Sequence, residues 1–224
     1  MHKILLTGSS GFIGSNILSS FSNDYKFYIL VRKKPLKRYL KNKNIKVIQF
    51  KNYNSLNLKL KKIKVNTVIH CATHYIKDHK FQDIKKLCYS NLMFGNIILE
   101  NLTILNATKF INFSTVWEDG NAKKDNVKNL YSAYKKSFST ILSFYKKNLK
   151  KVNFYELMIF DTFGNNDHRK KIIHILKMNY LKNKLTNIIS KNLYMNLLNI
   201  SDIINAISLI IKKKVAPKRY SIIN

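Results

Sequence analysis

The chain has 224 residues, 46% of them hydrophobic, and carries 41 lysines and arginines against 11 acids, for a net charge of +30. That length buries a substantial core as one domain with room for a small appended lobe. No apolar run approaches the ~18 residues of a membrane span, and Met1-His2-Lys3 leads straight into a strand, which leaves no room for a signal peptide.

Lys3 to Thr7 reads as a first strand, and Thr7-Gly8-Ser9-Ser10-Gly11-Phe12-Ile13-Gly14 follows it. Three of the chain's six glycines fall in this stretch, ahead of a helical segment ending near Phe21. A strand that turns sharply into a helix leaves free N–H groups facing an anion. The first glycine allows the turn, the second lets a pyrophosphate approach the backbone, and the third lets helix pack on strand. The alternative is a glycine turn without a ligand.

Phe27–Val31 is a second strand, Lys46–Phe50 a third and Thr67–Ala72 a fourth, the last continuously apolar as buried parallel strands tend to be. Ile84 to Asn101 reads as one long helix, Phe110–Phe113 as strand five, Leu130 to about Lys147 as a second long helix and Phe154–Ile159 as strand six. Beyond Gly164 the pattern loosens: Ile172–Leu181 is helical, Thr186–Ile189 extended, Ser201–Lys212 helical with Ser201 or Asp202 at its N-cap, and Tyr220–Ile223 a last strand. This alternation predicts an α/β fold, a Rossmann-type doubly wound parallel sheet. Residues 1–164 form the dinucleotide-binding domain, and 165–224 a small substrate lobe interleaved with the last sheet elements.

Tyr131 and Lys135 lie four apart at the start of the second long helix, so both side chains can enter one pocket. A lysine beside a phenol lowers its pKa from about 10 and suits it to general acid–base work. Ser114 and Thr115 close strand five, at the sheet edge where such folds bind ligands. A chance pair on a surface helix and ordinary turn chemistry are the competing explanations.

In sequence order, Thr7 to Gly14, His70-Cys71-Ala72, Asn91, Ser114-Thr115, Tyr131 with Lys135, and Asn199-Ile200-Ser201-Asp202-Ile203 resemble the extended short-chain dehydrogenase/reductases of the NAD-dependent epimerase/dehydratase type, which act on nucleotide sugars. Thr115-Val116-Trp117, Asn129-Leu130-Tyr131 and Phe160-Asp161-Thr162-Phe163-Gly164 are similar to the 4-ketosugar reductases of the CDP-abequose synthase type within it. The resemblance implies that Tyr131 protonates the substrate oxygen as hydride reaches carbon. Lys135 would hold the nicotinamide ribose, and Thr115, or Ser114 in its place, would hydrogen-bond the reacting oxygen. Thr7, Gly8, Ser10, Gly11, Phe12, Ile13, Gly14, Cys71, Ala72, Thr73 and Asn91 would line the cofactor site, although Asn91 equally suits bonding to local backbone. Val116 and Trp117 replace the Asp-Glu pair of the family's dehydratases, which disfavours water elimination. Asn165 stands where the family has proline, and relatives extend further, so the C-terminal substrate lobe is expected to be truncated.

At the end of strand two Arg32 and Lys33 stand where NAD enzymes carry an acid, which favours NADP over NAD. The expected reaction is NADPH reduction of a nucleotide-linked 4-keto sugar in surface-polysaccharide synthesis. A nucleotide-sugar epimerase with retained NAD is the alternative, and an idle Rossmann domain binding RNA or a partner is the alternative of another class. Lysine supplies nearly all the charge and arginine occurs only at 32, 38, 169 and 219. This spread predicts no specific nucleic-acid partner. Cys71 and Cys88 lack metal-ligand spacing and read as reduced, buried thiols, giving no metal site and a cytoplasmic location. The two long helices offer a surface for a homodimer.

Overall fold

In the computed structural model, residues 1–32, 37–119, 127–165, 167–169, 171–188 and 195–223 are described. Seven parallel strands form the central sheet in the order β3-β2-β1-β4-β5-β6-β9. They are β1 Lys3–Thr7, β2 Lys26–Val31, β3 Ile45–Gln49, β4 Thr67–His70, β5 Lys109–Thr115, β6 Asn153–Ile159 and β9 Arg219–Ser221. β1 pairs with β2 on one side and β4 on the other, with Ile4 opposite Phe27 and Thr67. The strand order reverses there, which opens a crevice above the carboxyl ends of β1 and β4.

Helices cover both faces. On one, α3 (Tyr53–Leu60), α5 (Phe94–Glu100) and α6 (Leu130–Asn148) pack over Leu5, Val68, Phe110 and Phe154. On the other, α1 (Phe12–Phe21) and α8 (Ile200–Ile211) cover Ile4, Ile29, Ile69, Ile111 and Tyr155. The continuously apolar strands of the sequence are therefore buried on both sides, as the parallel arrangement requires.

Several elements depart from expectation. A short helix α2 (Lys37–Leu40) and helix α3 follow β2 and β3. Helix α3 is started by a capping box, with Ser55 N–H donating to Asn52 Oδ1 at 2.8 Å and Asn52 N–H to Ser55 Oγ at 3.2 Å. The first long helix is interrupted: α4 (Ile84–Cys88) runs through a π turn, Tyr89–Met93, into α5. β4 stops at His70, so Cys71 and Ala72 leave the sheet. Helix α8 starts at Ile200 with Asn199 as its N-cap, rather than Ser201 or Asp202, because Asn199 Oδ1 accepts from Ser201 N–H at 3.0 Å. The last strand lies one residue earlier than its expected start. Residues 184–188 carry no regular structure where an extended segment was expected, and Ile189 lies outside the described residues. After β6, β7 (Asp161–Phe163) pairs with β8 (Leu197–Asn199) in a separate two-stranded parallel sheet, with α7 (Ile172–Leu181) between them.

Among the described residues no helix is long and apolar enough to cross a membrane, and no cluster of potential ligands could hold a metal.

Candidate active site

A cleft of about 1020 Å³ lies over the carboxyl ends of β1, β2, β4, β5 and β6. Its floor is the glycine loop. Gly8 has φ +69°, and a Cβ there would meet Ala72 N at 2.7 Å, so the backbone of β1's turn lies directly on the end of β4. A Cβ on Gly14 would collide with the Gly8 carbonyl. Gly11 differs: its Cβ would meet only the Gly8 oxygen, at 3.3 Å, with open space beyond. Helix α1 starts here with no side-chain cap and no acid in its first turn, so its N-terminal N–H groups are left for an anion in the cleft. These features fit a dinucleotide pyrophosphate.

Ser10, Phe12, Ile13, Arg32, Cys71, Ala72 and Thr73 line the cleft with the three glycines, and Lys33 lies outside the described residues. Two expected cofactor residues sit behind the wall. Thr7 is fully buried, its hydroxyl bonded to His70 Nδ1 at 3.0 Å and accepting from Ala72 N–H at 3.0 Å. Asn91 points at chain rather than cleft, bonding to local backbone. Its Oδ1 accepts from the Thr73 hydroxyl at 2.7 Å and His74 N–H at 2.9 Å, while Nδ2 donates to the His74 carbonyl at 3.0 Å. The π turn makes this clamp, and both residues set the course of 71–74 along the cleft.

At the other end, Ser114, Thr115, Tyr131 and Lys135 share the cleft. Asn129 caps α6, accepting from Ser132 N–H at 2.9 Å, which fixes the turn that presents Tyr131. The Tyr131 ring meets Tyr75 edge-on at 5.1 Å. Ser114 Oγ is buried without a protein partner.

The phenol's pKa is raised, not lowered as the Tyr131–Lys135 spacing predicts. Burial pushes Tyr131 up to about 12, the neighbouring Thr73 hydroxyl opposes this, and the Glu118 charge adds to the rise. Lys135 is itself buried, which lowers its pKa, while Glu118, Glu156 and Cys71 favour its charge. The helical spacing brings the two residues to one cleft, but desolvation raises the phenol's pKa.

The cleft has residues beyond those the motifs single out. Arg169 stacks over the Phe12 ring at 4.1 Å while its guanidinium grips both Asp167 oxygens at 2.7 Å and the Thr162 carbonyl at 2.7 Å. Lys171 pairs with Asp161 at 2.8 Å. The loop after β6 thus reaches back over the glycine loop. The motif from Phe160 to Gly164 marks the start of this segment in the sequence, but not the Arg169 and Lys171 contacts.

The model of the NAD dependent epimerase/dehydratase family matches residues 4–224. CDP-abequose synthase of Yersinia pseudotuberculosis is 29% identical over 212 residues, covering 93% of this chain and 73% of that protein. A dTDP-D-glucose 4,6-dehydratase of Dictyostelium discoideum is 28% identical over 251 residues, covering 95% and 56%. Among solved structures, UDP-glucuronic acid 4-epimerase from Bacillus cereus, in complex with UDP-glucuronic acid and NAD, superposes with a TM-score of 0.81 at 20% identity, over 99% of this chain and 77% of that one.

Proposed function

The chain belongs to the NAD dependent epimerase/dehydratase family, and from that premise we propose that it reduces the 4-keto group of a nucleotide-linked sugar with NADPH. The observation that carries the reading is the half-buried Tyr131 phenol, whose surroundings raise its pKa, in the same cleft as Thr115, Lys135 and the glycine loop. A protonated phenol is the form a ketone reduction needs.

When bound, the nicotinamide supplies the hydride. As it arrives, the carbonyl oxygen gains negative charge, Tyr131 gives it a proton, and the Thr115 hydroxyl donates a second hydrogen bond. Ser114, with its free hydroxyl, is the neighbouring donor. Lys135 would hold the nicotinamide ribose, Gly11 would leave room for the pyrophosphate, and Arg32 would pair with the 2′-phosphate. Val116 and Trp117 give no acid–base pair beside Thr115, which supports reduction over dehydration. The segment from β7 through Arg169 and Lys171 leads into the substrate lobe, which we divide from the dinucleotide-binding domain at residue 164. A second copy docks on the two long helical segments, where Tyr89, Met93 and Phe144 are exposed.

The experiment is spectrophotometric. Purified protein with NADPH and a panel of nucleoside-diphosphate 4-ketosugars should consume one NADPH per sugar reduced. Interconversion of 4-epimers without net NADPH consumption would replace this reading with the epimerase one.

A further inference from the structure

Three aromatic rings from three separate elements meet at the reacting end of the cleft. Tyr75 comes from the segment after β4, Trp117 from the 3₁₀ turn Val116–Glu118 after β5, and Tyr131 from the start of α6. The Tyr75 ring lies 5.7 Å from that of Trp117, tilted at 50°, and 5.1 Å from that of Tyr131, edge-on. All three line the cleft. None of them joins the apolar clusters on the two faces of the sheet, so core packing does not explain them. Tyr75 is 45% exposed although it meets both other rings.

Backbone contacts hold each ring in place. Just before Tyr75, His74 N–H donates to Asn91 Oδ1 at 2.9 Å. Trp117 N–H donates to Thr115 Oγ1 at 3.4 Å, and the Trp117 carbonyl accepts from Lys128 N–H at 3.4 Å. The Lys128 ammonium sits 4.3 Å from the centre of the Trp117 ring. Asn129 caps the helix just before Tyr131. An ordered aromatic surface left open in a concave site is suited to a ligand, because little freedom remains to be lost on binding.

We propose that Tyr75 and Trp117 form a subsite for the sugar itself, binding C–H groups of the hexose and so seating its keto oxygen against Tyr131 and Thr115. The inference rests on the ketosugar reading of the site. A keto oxygen held by Tyr131 and Thr115 leaves the flanking ring carbons beside the neighbours of those two residues. Tyr75 lies against the phenol, and Trp117 stands two positions after Thr115. The negative faces of aromatic rings attract the weakly positive C–H groups of a sugar, and the contact removes apolar area from water. A nucleobase would also stack on such rings. In a nucleoside-diphosphate sugar, however, a ribose and two phosphates separate the base from the reacting sugar, which keeps the base away from rings that adjoin the reacting carbon.

Trp117 is the chain's one tryptophan, so its fluorescence reports this subsite alone. The test titrates CDP-, dTDP- and UDP-linked 6-deoxy-4-ketohexose, and the three free nucleoside diphosphates, into protein loaded with NADP, which has no hydride to give. At least one ketosugar should shift the emission, and the free nucleotides should not. Tyr75→Ser, at an exposed position, should weaken that titration about tenfold. In turnover, Tyr75→Ser and Trp117→Leu should each raise KM for the ketosugar about tenfold and change kcat by less than about threefold. NADPH affinity and inhibition by the free nucleotide should stay unchanged, and Trp117→Phe should recover most of the loss. Tyr75→Ser carries the test if Trp117→Leu does not fold. A fall in kcat at unchanged KM would make Tyr75 only a support for the Tyr131 ring, and weaker NADPH binding would give the rings to the nicotinamide. Either result overturns the proposal, as does emission that answers no ketosugar or answers free nucleotide equally. A parent with ketosugar-dependent emission that oxidises no NADPH would instead sink the reductase reading and leave the subsite standing.

Discussion

Tyr131 holds its proton because desolvation at the half-buried start of α6 raises its pKa. Tyr131→Phe keeps the packing and removes only the hydroxyl, so turnover should fall about 10²-fold or more with NADPH affinity nearly unchanged. Thr115→Val should fall less, and rates at saturating cofactor read both. His70 shows how a residue beside the motif supports it. Complete burial depresses its pKa from 6.5 to about 3. The fold favours the neutral ring, so this contribution is whole above pH 6.5 and is lost as pH falls toward 3, a loss of about 4–5 kcal/mol across that window. The thermal midpoint should therefore drop more steeply between pH 7 and pH 4 in the parent than in His70→Asn, which keeps a hydrogen-bonding group for Thr7. Residue-level legibility was uneven for a physical reason. Spacing brings Tyr131 and Lys135 to one helical face, but burial sets their pKa values, and burial depends on strands far away in the chain. Asn91 and Thr7 look like contact residues in the motif, yet their short polar side chains are consumed by neighbouring backbone and by His70.

At the scale of elements, the strands were readable because buried parallel strands must be continuously apolar, and the glycine loop because its backbone geometry allows few substitutes. Helix α3 escaped notice because its signal is a polar capping box, Asn52 and Ser55, in a weakly amphipathic stretch. The π turn at Tyr89–Met93 and the β7–β8 pair depend on contacts across the fold, the latter between segments more than thirty residues apart. One element-level bond is open to direct test. Lys109, at the start of β5, is 3% exposed and donates to the carbonyls of Ile210 and Ile211 at 3.0 and 2.7 Å. Its charge thus ends α8, at the negative pole of the helix, without an acid partner in these bonds. Lys109→Met should leave both carbonyls buried and unpaired, and cost about 2–3 kcal/mol. The urea midpoint should fall with an unchanged slope; an unchanged midpoint would show that water replaces the ammonium there.

For the whole molecule, the net charge of +30 and the cleft's own cations act on the same ligands over different ranges. The global field attracts any anion and is screened within about 10 Å at 0.1 M salt, so it weakens NADH and NADPH binding alike as salt rises. Arg32, exposed at the end of β2 and lining the cleft, should act only on the extra phosphate of NADPH. Arg32→Gln should therefore reduce NADPH affinity about tenfold while leaving NADH within a factor of two. Raising salt from 50 to 500 mM, as an order-of-magnitude span, should weaken both cofactors in parent and variant. Titrating both cofactors into both proteins at the two salt levels separates the effects. A parent that binds NADH and NADPH equally at high salt would remove the case for NADPH, since only the unselective field would then be at work.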